Sequence, residues 1–275
     1  MPSRLNRKVT TIFLAISGGL FCCRSVSVAT LHQSSAAGLL PAICPIVYPL
    51  DESSSDRGYR YIFYGNAFFI DREGYLITAA HVLTAFRDGG QPHILLRLPE
   101  APPRLAKVEL VVSDSQHDIA VLRAVPNPFE GKYEVAFLPL ASDKPAQGSP
   151  VLAAALRPAR LNDPRTFEAP QEDKSPAEVL QYTSTRLNKG QAEAELFLFS
   201  HEVIRGQSGA PILSRDTQAV VGIVEGQWLH GIPLSSATTA GKGGSTLGAG
   251  VPITYALPLL EQKHIPWQTV SGPAR

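Results

Sequence analysis

A single serine between two glycines is the first feature of this sequence that could carry chemistry. Ser208 lies in the segment RGQSGAP, residues 205–211, between an apolar run that ends at Phe199 and another that begins at Pro211. A serine that attacks a carbonyl group needs a tight turn, because glycines there let backbone N–H groups converge on the oxygen under attack. A Gly-Ser-Gly turn is more often only a turn. The segment therefore indicates a nucleophile only if a base accompanies it.

A histidine and an aspartate precede the serine. His81 follows the strand-like run LITAA, and Asp118 opens the apolar run DIAVL. Histidine titrates near neutral pH and can accept the proton of a serine hydroxyl, and a carboxylate can orient it. Taken singly, His81 could cap a short helix and Asp118 could start a strand. Together with Ser208 they form a candidate nucleophile, base and orienting acid.

The three segments resemble sequence blocks of the trypsin-like, or chymotrypsin-fold, serine peptidases. The blocks are TAAH, DIAVL and GQSGAP, at residues 78–81, 118–122 and 206–211. Asp118 comes 37 residues after His81, and Ser208 comes 90 residues after Asp118, which is the family's order. The resemblance covers residues 58–262. The lack of disulfides is similar to the bacterial HtrA-like branch, and we expect a peptidase domain without that branch's PDZ domain.

The resemblance implies a serine endopeptidase that acts on proteins or peptides. Ser208 Oγ would attack the scissile carbonyl and form an acyl-enzyme, and His81 would accept and then donate the proton. Asp118 would orient the imidazole, and the backbone N–H groups of Gly206 and Ser208 would form the oxyanion hole. This mechanism uses no cofactor and no metal ion, and we expect neither.

The same resemblance suggests which residues contact the substrate side chain. Two apolar segments correspond to the strands that wall the family's primary specificity pocket, and Glu202 lies where the family has the pocket floor. A carboxylate there would favour Arg or Lys at the cleavage site, and a solvated loop glutamate without this role is the alternative. The candidate pocket residues are Glu202, Val224, Gly226 and Val251.

Three positions depart from the family pattern. Many trypsins have, in place of Gln207, an aspartate that pairs with a new N-terminus after zymogen cleavage, so we expect no switch of that type. Ala210 replaces the commoner second glycine, and Ala67 replaces a glycine in the strand before the histidine. A methyl group at either place requires an ordinary negative φ.

Short apolar runs separated by turn residues supply the elements that position these groups. Six runs fall within residues 61–125 and six more within 151–255, a pattern that favours β-barrels. The resemblance implies an all-β fold of two packed antiparallel six-stranded barrels, with a short C-terminal helix near 256–263. The Pro-rich and charged segment 157–178 and the Gly-rich segment 231–250 are predicted to be surface loops.

The first residues have the order of a signal peptide. Basic residues precede an apolar run at 12–23, and small residues follow up to Ala29, where we expect cleavage. The run is shorter than the roughly 20 residues needed to span a bilayer. We therefore expect export to the periplasm or the medium, with no stable membrane span afterwards. A lipoprotein acylated at Cys22 is the alternative; cleavage after Ala29 leaves only Cys44, which excludes an internal disulfide.

The overall charge and the division of the chain add further expectations. The net charge of +1 offers no broad basic surface, so we expect no nucleic-acid partner. The oligomeric state stays open. We predict five segments: a signal peptide at 1–29, a lead-in segment with at most one strand at 30–57, a first barrel with His81 and Asp118 at 58–140, a second barrel with Ser208 at 141–262, and a tail at 263–275.

Three other classes of protein could show some of these features. A catalytically silent chymotrypsin-fold binding module is the open alternative, because a fold does not determine function. An α/β-hydrolase would have Gly-x-Ser-x-Gly and a histidine after the serine, but Ala210 and the order of the triad disagree. A metal enzyme is disfavoured because the histidines are scattered without a His-Glu-x-x-His pair. We expect His117 to be structural or exposed, since neighbours in a strand point to opposite faces.

Overall fold

The computed structural model describes eight ranges of the chain: residues 40–50, 61–86, 89–96, 104–130, 136–157, 171–229, 232–234 and 246–270. The predicted signal peptide lies outside the described residues, as do most of the lead-in segment and most of the Gly-rich segment 231–250. No helix within these ranges is long and apolar enough to cross a membrane.

Six antiparallel strands form a closed barrel in the N-terminal half of the described chain. They are β1 Ile43–Pro49, β2 Tyr61–Phe69, β3 Tyr75–Ala79, β4 His93–Leu96, β5 Arg104–Asp114 and β6 Ile119–Val125. Neighbours follow the order β1-β2-β3-β6-β5-β4, and β4 pairs back onto β1. Closure pairs the backbone groups that an open sheet edge would expose. The strand predicted in the lead-in segment is β1, which closes this barrel.

The C-terminal half forms a second sheet of nine strands. They are β7 Leu140–Ala141, β8 Pro150–Arg157, β9 Gln171–Thr185, β10 Ala194–Phe199, β11 Pro211–Ser214, β12 Val220–Leu229, β13 Ile232–Leu234, β14 Leu247–Pro252 and β15 Thr269–Val270. Six of them run antiparallel in the order β11-β8-β9-β10-β14-β12, and β11 pairs with β12 to complete a ring. Short β7 and β15 add parallel pairings outside this ring. The prediction of an all-β, chymotrypsin-like fold is confirmed.

Short helices follow two of the strands. A 3₁₀ helix, Ala80–Phe86, begins directly after β3, and the α-helix α1, Leu257–Gln262, follows β14 and one further 3₁₀ turn. Pro258 is the second residue of α1, where a missing N–H costs nothing because the first helical turn has no partner for it. The predicted C-terminal helix is therefore α1.

The two predicted loops are partly strands. Residues 171–178 belong to β9 and pair with residues 150–157 of β8, although the sequence predicts a surface loop across 157–178. In the predicted loop 231–250, β13 and the first residues of β14 pair with β12. Strand pairing is made by backbone N–H and C=O groups, so a polar or Gly-rich segment can extend a hairpin when a partner strand is already in place. The loop predictions were wrong for these residues.

Candidate active site

The pairing of β3 with β6 places His81 beside Asp118. Ala79, the last residue of β3, pairs with Ile119, the first residue of β6. His81 lies in the helix that follows β3, and Asp118 is the last residue of the turn before β6. Two residues that are 37 positions apart in the chain therefore meet at one end of the first barrel.

Three hydrogen bonds hold Asp118 against the histidine segment. Its Oδ2 lies 2.5 Å from His81 Nδ1, its Oδ1 accepts the backbone N–H of His81 at 2.8 Å, and its carbonyl accepts the N–H of Ala80 at 2.9 Å. Asp118 is 3% exposed and has φ 55°, a backbone conformation that aspartate tolerates better than most residues. The contact with Oδ2 places the proton of the neutral imidazole on Nδ1, which leaves Nε2 as an acceptor.

The surroundings of His81 favour its protonated form. Burial alone would lower the pKa of His81, but the hydrogen bond to Asp118 and the negative charges of Asp118 and Glu225 outweigh burial and raise it. The side chain of His81 is 32% exposed, so it remains accessible from the surface. A base with these partners can accept a proton and hold it.

Ser208 lies on a turn that requires glycine on both sides. Gly206 and Gly209 have φ of 95° and 81°. A Cβ on Gly209 would lie 2.2 Å from the backbone oxygen of Asn66 and 2.4 Å from Oγ1 of Thr78, so a side chain would collide with the first barrel. The glycine after the serine therefore lets the nucleophile turn pack closely against the strands beside His81.

Hydrogen bonds within the turn determine where the Ser208 side chain points. Ser208 Oγ donates to the backbone oxygen of Glu225 at 3.3 Å, and within the described residues no hydrogen bond joins it to His81. Gln207 is buried, and its Oε1 accepts the N–H of Ile204 at 2.7 Å. Among the described residues, the amides of Gly206 and Ser208 donate to no partner.

Asn66 connects the first barrel to the turn that carries Ser208, and no sequence motif indicated it. Its backbone N–H donates to the oxygen of Ser208 at 2.8 Å, and its Nδ2 donates to the oxygens of Gly206 at 2.8 Å and Leu156 at 2.9 Å. Its Oδ1 accepts the N–H of Leu156 at 2.9 Å. In the sequence, Asn66 is one polar residue inside the apolar segment GNAFF. A fully buried amide needs hydrogen-bond partners, so a polar residue in such a segment could have indicated a contact of this kind.

Glu225 is a second residue of the candidate site that no sequence motif indicated. It lies on β12 between Val224 and Gly226, where the pairing with β14 shifts register. One of its carboxylate oxygens, a ring nitrogen of His81 and a carboxylate oxygen of Asp118 lie within 4.8 Å of one another. Burial raises the pKa of Glu225 to about 7, while the charge of His81 lowers it and that of Asp118 raises it. The signal was an acidic residue inside the apolar run VVGIVEG.

This cluster contains ligand types that bind zinc, but its geometry is that of an ion pair. Histidine nitrogens and carboxylate oxygens are common zinc ligands. Here Nδ1 of His81 and Oδ2 of Asp118 face each other at 2.5 Å, so they bind each other and not a shared ion. We therefore assign no metal site to these residues.

The candidate pocket residues lie on two paired strands and one loop. Val224 and Gly226 are on β12 and Val251 is on β14, and the two valines are buried. β12 runs along the nucleophile turn, because the N–H of Gly209 donates to the oxygen of Val224 at 2.9 Å. The side chain of Glu202 is exposed, on the loop between β10 and β11.

His117 makes its contacts outside the active-site cluster. Its Nδ1 lies 2.6 Å from Asp114 Oδ2, and its ring stacks on Tyr255 with 3.8 Å between centroids. It is partly buried, as a structural residue would be. The alternation of side chains along a strand is not the reason, because His117 and Asp118 lie in a turn and Asp118 has a positive φ.

The departures Ala67 and Ala210 are accommodated without strain. Ala67 lies within β2, Ala210 precedes β11, and both are fully buried. The non-glycine residues with positive φ in the described chain are Asp118, Gln218 and His264, so neither alanine needs a glycine conformation.

Two barrels, with a histidine and an aspartate on the first and a serine turn on the second, define the chymotrypsin-like fold class. The family model described as the trypsin-like peptidase domain matches residues 65–223. The chain belongs to this family.

Solved structures with the same fold come from several proteases. The protease domain of MamO from Magnetospirillum magneticum has 15% identity and a TM-score of 0.56, over 82% of this chain and 99% of that one. The active form of the Rv3671c protease from M. tuberculosis has 17% identity and a TM-score of 0.56, over 86% and 85%. The HtrA-type protease AlgW has 20% identity and a TM-score of 0.54, over 84% and 62%. Identities this low show a shared fold. No curated protein matches the sequence.

Proposed function

We propose that this protein is a serine endopeptidase that hydrolyses peptide bonds through His81, Asp118 and Ser208 and an acyl-enzyme intermediate. The observation that carries the proposal is the contact of His81 Nδ1 with the buried Asp118 at 2.5 Å. This contact orients the imidazole and stabilises its charged form, which is the work of the aspartate in a Ser-His-Asp triad. Family membership supports the same reaction class.

Catalysis would begin with a rotation of the Ser208 side chain. Its hydroxyl would leave the oxygen of Glu225 and donate to Nε2 of His81. Ser208 Oγ would then form a bond to the scissile carbonyl carbon while His81 takes the hydroxyl proton. His81 would return that proton to the departing amine, and water would hydrolyse the acyl-enzyme by the same route.

The oxyanion would be stabilised by the amides of Gly206 and Ser208. Both donors lack a partner among the described residues, so they can bind the oxygen that becomes negative in the transition state. Gln207, between them, keeps its side-chain oxygen on the N–H of Ile204. This internal contact supports a turn that needs no ion pair with a newly formed N-terminus.

A silent binding module on the same fold is the second candidate. The observation that favours it is the Ser208 hydroxyl, which donates to Glu225 and not to His81. A serine held in that position would not be deprotonated, and the cleft could still bind a peptide. Reactivity of the serine towards an active-site probe separates the two candidates.

Fluorophosphonate labelling of the purified protein tests the proposal. The wild type should become labelled at Ser208, identified by mass spectrometry, without prior proteolytic trimming. Ser208→Ala should abolish labelling, and His81→Ala should slow it by at least about a thousandfold, because the hydroxyl loses its base. Ser142→Ala, which removes an exposed serine, serves as the matched control and should label like the wild type. A folded wild type that resists labelling would support the binding module.

Localisation and substrate preference complete the proposal. The protein would be exported after cleavage of residues 1–29 and would act on proteins or peptides in the periplasm or the medium. Val224, Gly226 and Val251 would line the primary specificity pocket, with Glu202 at its floor. Mass spectrometry of the N-terminus of the exported protein tests the cleavage site, and an N-terminus other than Thr30 would contradict it.

A further inference from the structure

Glu225 lies against the candidate triad with both its backbone and its side chain. Its carbonyl oxygen accepts the hydroxyl of Ser208 at 3.3 Å. Its carboxylate lies within 4.8 Å of ligand atoms of His81 and Asp118. β12 also packs against β3, the strand that leads to His81. Glu225 is therefore close to all three members of the candidate triad.

The location of Glu225 makes its charge effective. The residue is partly buried beside the almost fully buried Asp118, and charges interact more strongly where water is scarce. The described titratable groups that act on its carboxyl are His81, which attracts the ionised form, and Asp118, which repels it. An ionised Glu225 therefore gives the imidazolium of His81 a second negative neighbour.

We propose that Glu225 is a positioning residue for the base: its ionised carboxylate stabilises the imidazolium that forms when His81 accepts the proton of Ser208. Its carbonyl oxygen holds the resting Ser208 hydroxyl until substrate binds. This inference rests on the proposed peptidase function. In the Ser-His-Asp triad template, one aspartate stabilises the imidazolium. Here Glu225 shares this stabilisation with Asp118.

Glu225 makes the titration of His81 depend on a second group. Burial raises the pKa of Glu225 to about 7, so this carboxyl is ionised at pH 8.5 and protonated at pH 5.5. Ionised Glu225 raises the pKa of His81, and protonated Glu225 does not. Two groups that interact in this way lose their protons in macroscopic steps that belong to the pair. The titration of His81 should therefore show two steps while Glu225 is present.

The test compares Glu225→Gln with the wild type by two measurements on the full protein. The first follows the His81 imidazole by NMR from pH 4.5 to 9.5, and the second follows the rate of fluorophosphonate labelling over the same range. In Glu225→Gln we expect a single-step titration with a lower midpoint. We also expect a labelling rate at pH 8.5 reduced roughly tenfold and an acidic limb shifted to lower pH.

Two further variants make the test specific. Glu225→Asp keeps a carboxylate on a shorter side chain and should restore the two-step titration and part of the rate. Glu109→Gln removes an exposed carboxylate of β5 and should match the wild type in both measurements. A His81 titration in a folded Glu225→Gln that superimposes on the wild type would overturn the proposal, and so would a rate loss without any change in the pH profile.

The two measurements also separate this inference from the proposed function. The NMR titration needs no turnover, so it reports the interaction between Glu225 and His81 even in a protein that does not label. A wild type that fails to label but shows the two-step titration would contradict the peptidase function and support the electrostatic role of Glu225. A wild type that labels but shows a one-step titration would support the peptidase function and contradict the electrostatic role of Glu225.

Discussion

Asp118 and Ser208 differ in their contacts with His81. Both carboxylate oxygens of Asp118 are hydrogen bonded to His81, so the aspartate is already placed to orient the imidazole. The Ser208 hydroxyl instead donates to the oxygen of Glu225, and in the proposed mechanism it would rotate towards His81. The cost of this rotation is small compared with the binding of a peptide, because it exchanges one hydrogen bond for another. Completion of the proposed triad would therefore require little free energy.

Glu202 is the candidate floor of the primary specificity pocket. Its side chain is exposed, so water screens any contact with a basic substrate side chain. Glu202→Gln should lower kcat/KM for peptides cleaved after Arg or Lys by about fivefold, the effect of roughly 1 kcal/mol. It should leave other cleavage sites unchanged. Cleavage of a peptide library measures the change in kcat/KM at each type of cleavage site, and Glu178→Gln, at another exposed glutamate, is the control. An unchanged profile would mean that Glu202 is a solvated loop residue.

β1 shows how a strand outside the candidate triad contributes to the site. It pairs with β2 and β4 and so closes the barrel in which His81 follows β3 and Asp118 precedes β6. Its side chains at Ile43, Cys44 and Ile46 are fully buried. Each large apolar side chain buried in this way stabilises the fold by about 1.5–3 kcal/mol, before the cost of ordering the chain. β1 therefore contributes to the stability of the barrel that positions His81 and Asp118.

Cys44 reports on this closure. Burial raises the pKa of its thiol far above the usual range, and the side chain is almost completely buried, so a thiol reagent should not reach it in the folded protein. At pH 8, Ellman's reagent should react with Cys44 only as fast as the barrel opens, and rapidly in 6 M guanidinium chloride. Cys44→Ala identifies any signal from other cysteines. Rapid modification of the native protein would contradict a closed barrel.

Asn66 joins the two halves of the molecule that carry the candidate active-site residues. These are the first barrel, with His81, and the sheet that carries Ser208. Asn66 spans them with a backbone bond to Ser208 and side-chain bonds to Gly206 and Leu156. A second contact is the stack of His117 on Tyr255. Hydrogen bonds are directional, so these contacts of Asn66 constrain how the turn that carries Ser208 faces His81.

Asn66→Ala should therefore impair both stability and catalysis. The substitution removes the side-chain partner of three backbone groups, two of them buried, and we expect a loss of about 3 kcal/mol in the free energy of unfolding, measured by urea denaturation. The labelling rate should fall at temperatures where the variant is still folded, because the nucleophile turn is no longer held. Asn188→Ala removes an exposed amide that bonds to Ser115 and should cost less than about 1 kcal/mol. Equal stabilities of the two variants would contradict this role for Asn66.

The sequence alone determined the elements and the candidate triad. Alternating apolar runs and turn residues predict β-strands because each strand buries one face, and the three blocks around His81, Asp118 and Ser208 have the composition that acyl transfer requires. These are local patterns, so the chain shows them before it folds. The prediction of a loop at 157–178 was wrong for residues 171–178. These residues form a strand because their backbone groups pair with β8, and the local sequence does not show this pairing.

Only the tertiary structure decided which other groups act on that triad. Asn66 is far along the chain from Ser208 and lies in the other barrel, and Glu225 is far from His81 and lies in the other sheet. Each appears in the sequence as one polar residue in an apolar run. Their partners are backbone oxygens and charged groups brought close by the packing of two barrels. The energy of such contacts depends on distance and on the exclusion of water, and both quantities exist only once the chain has folded.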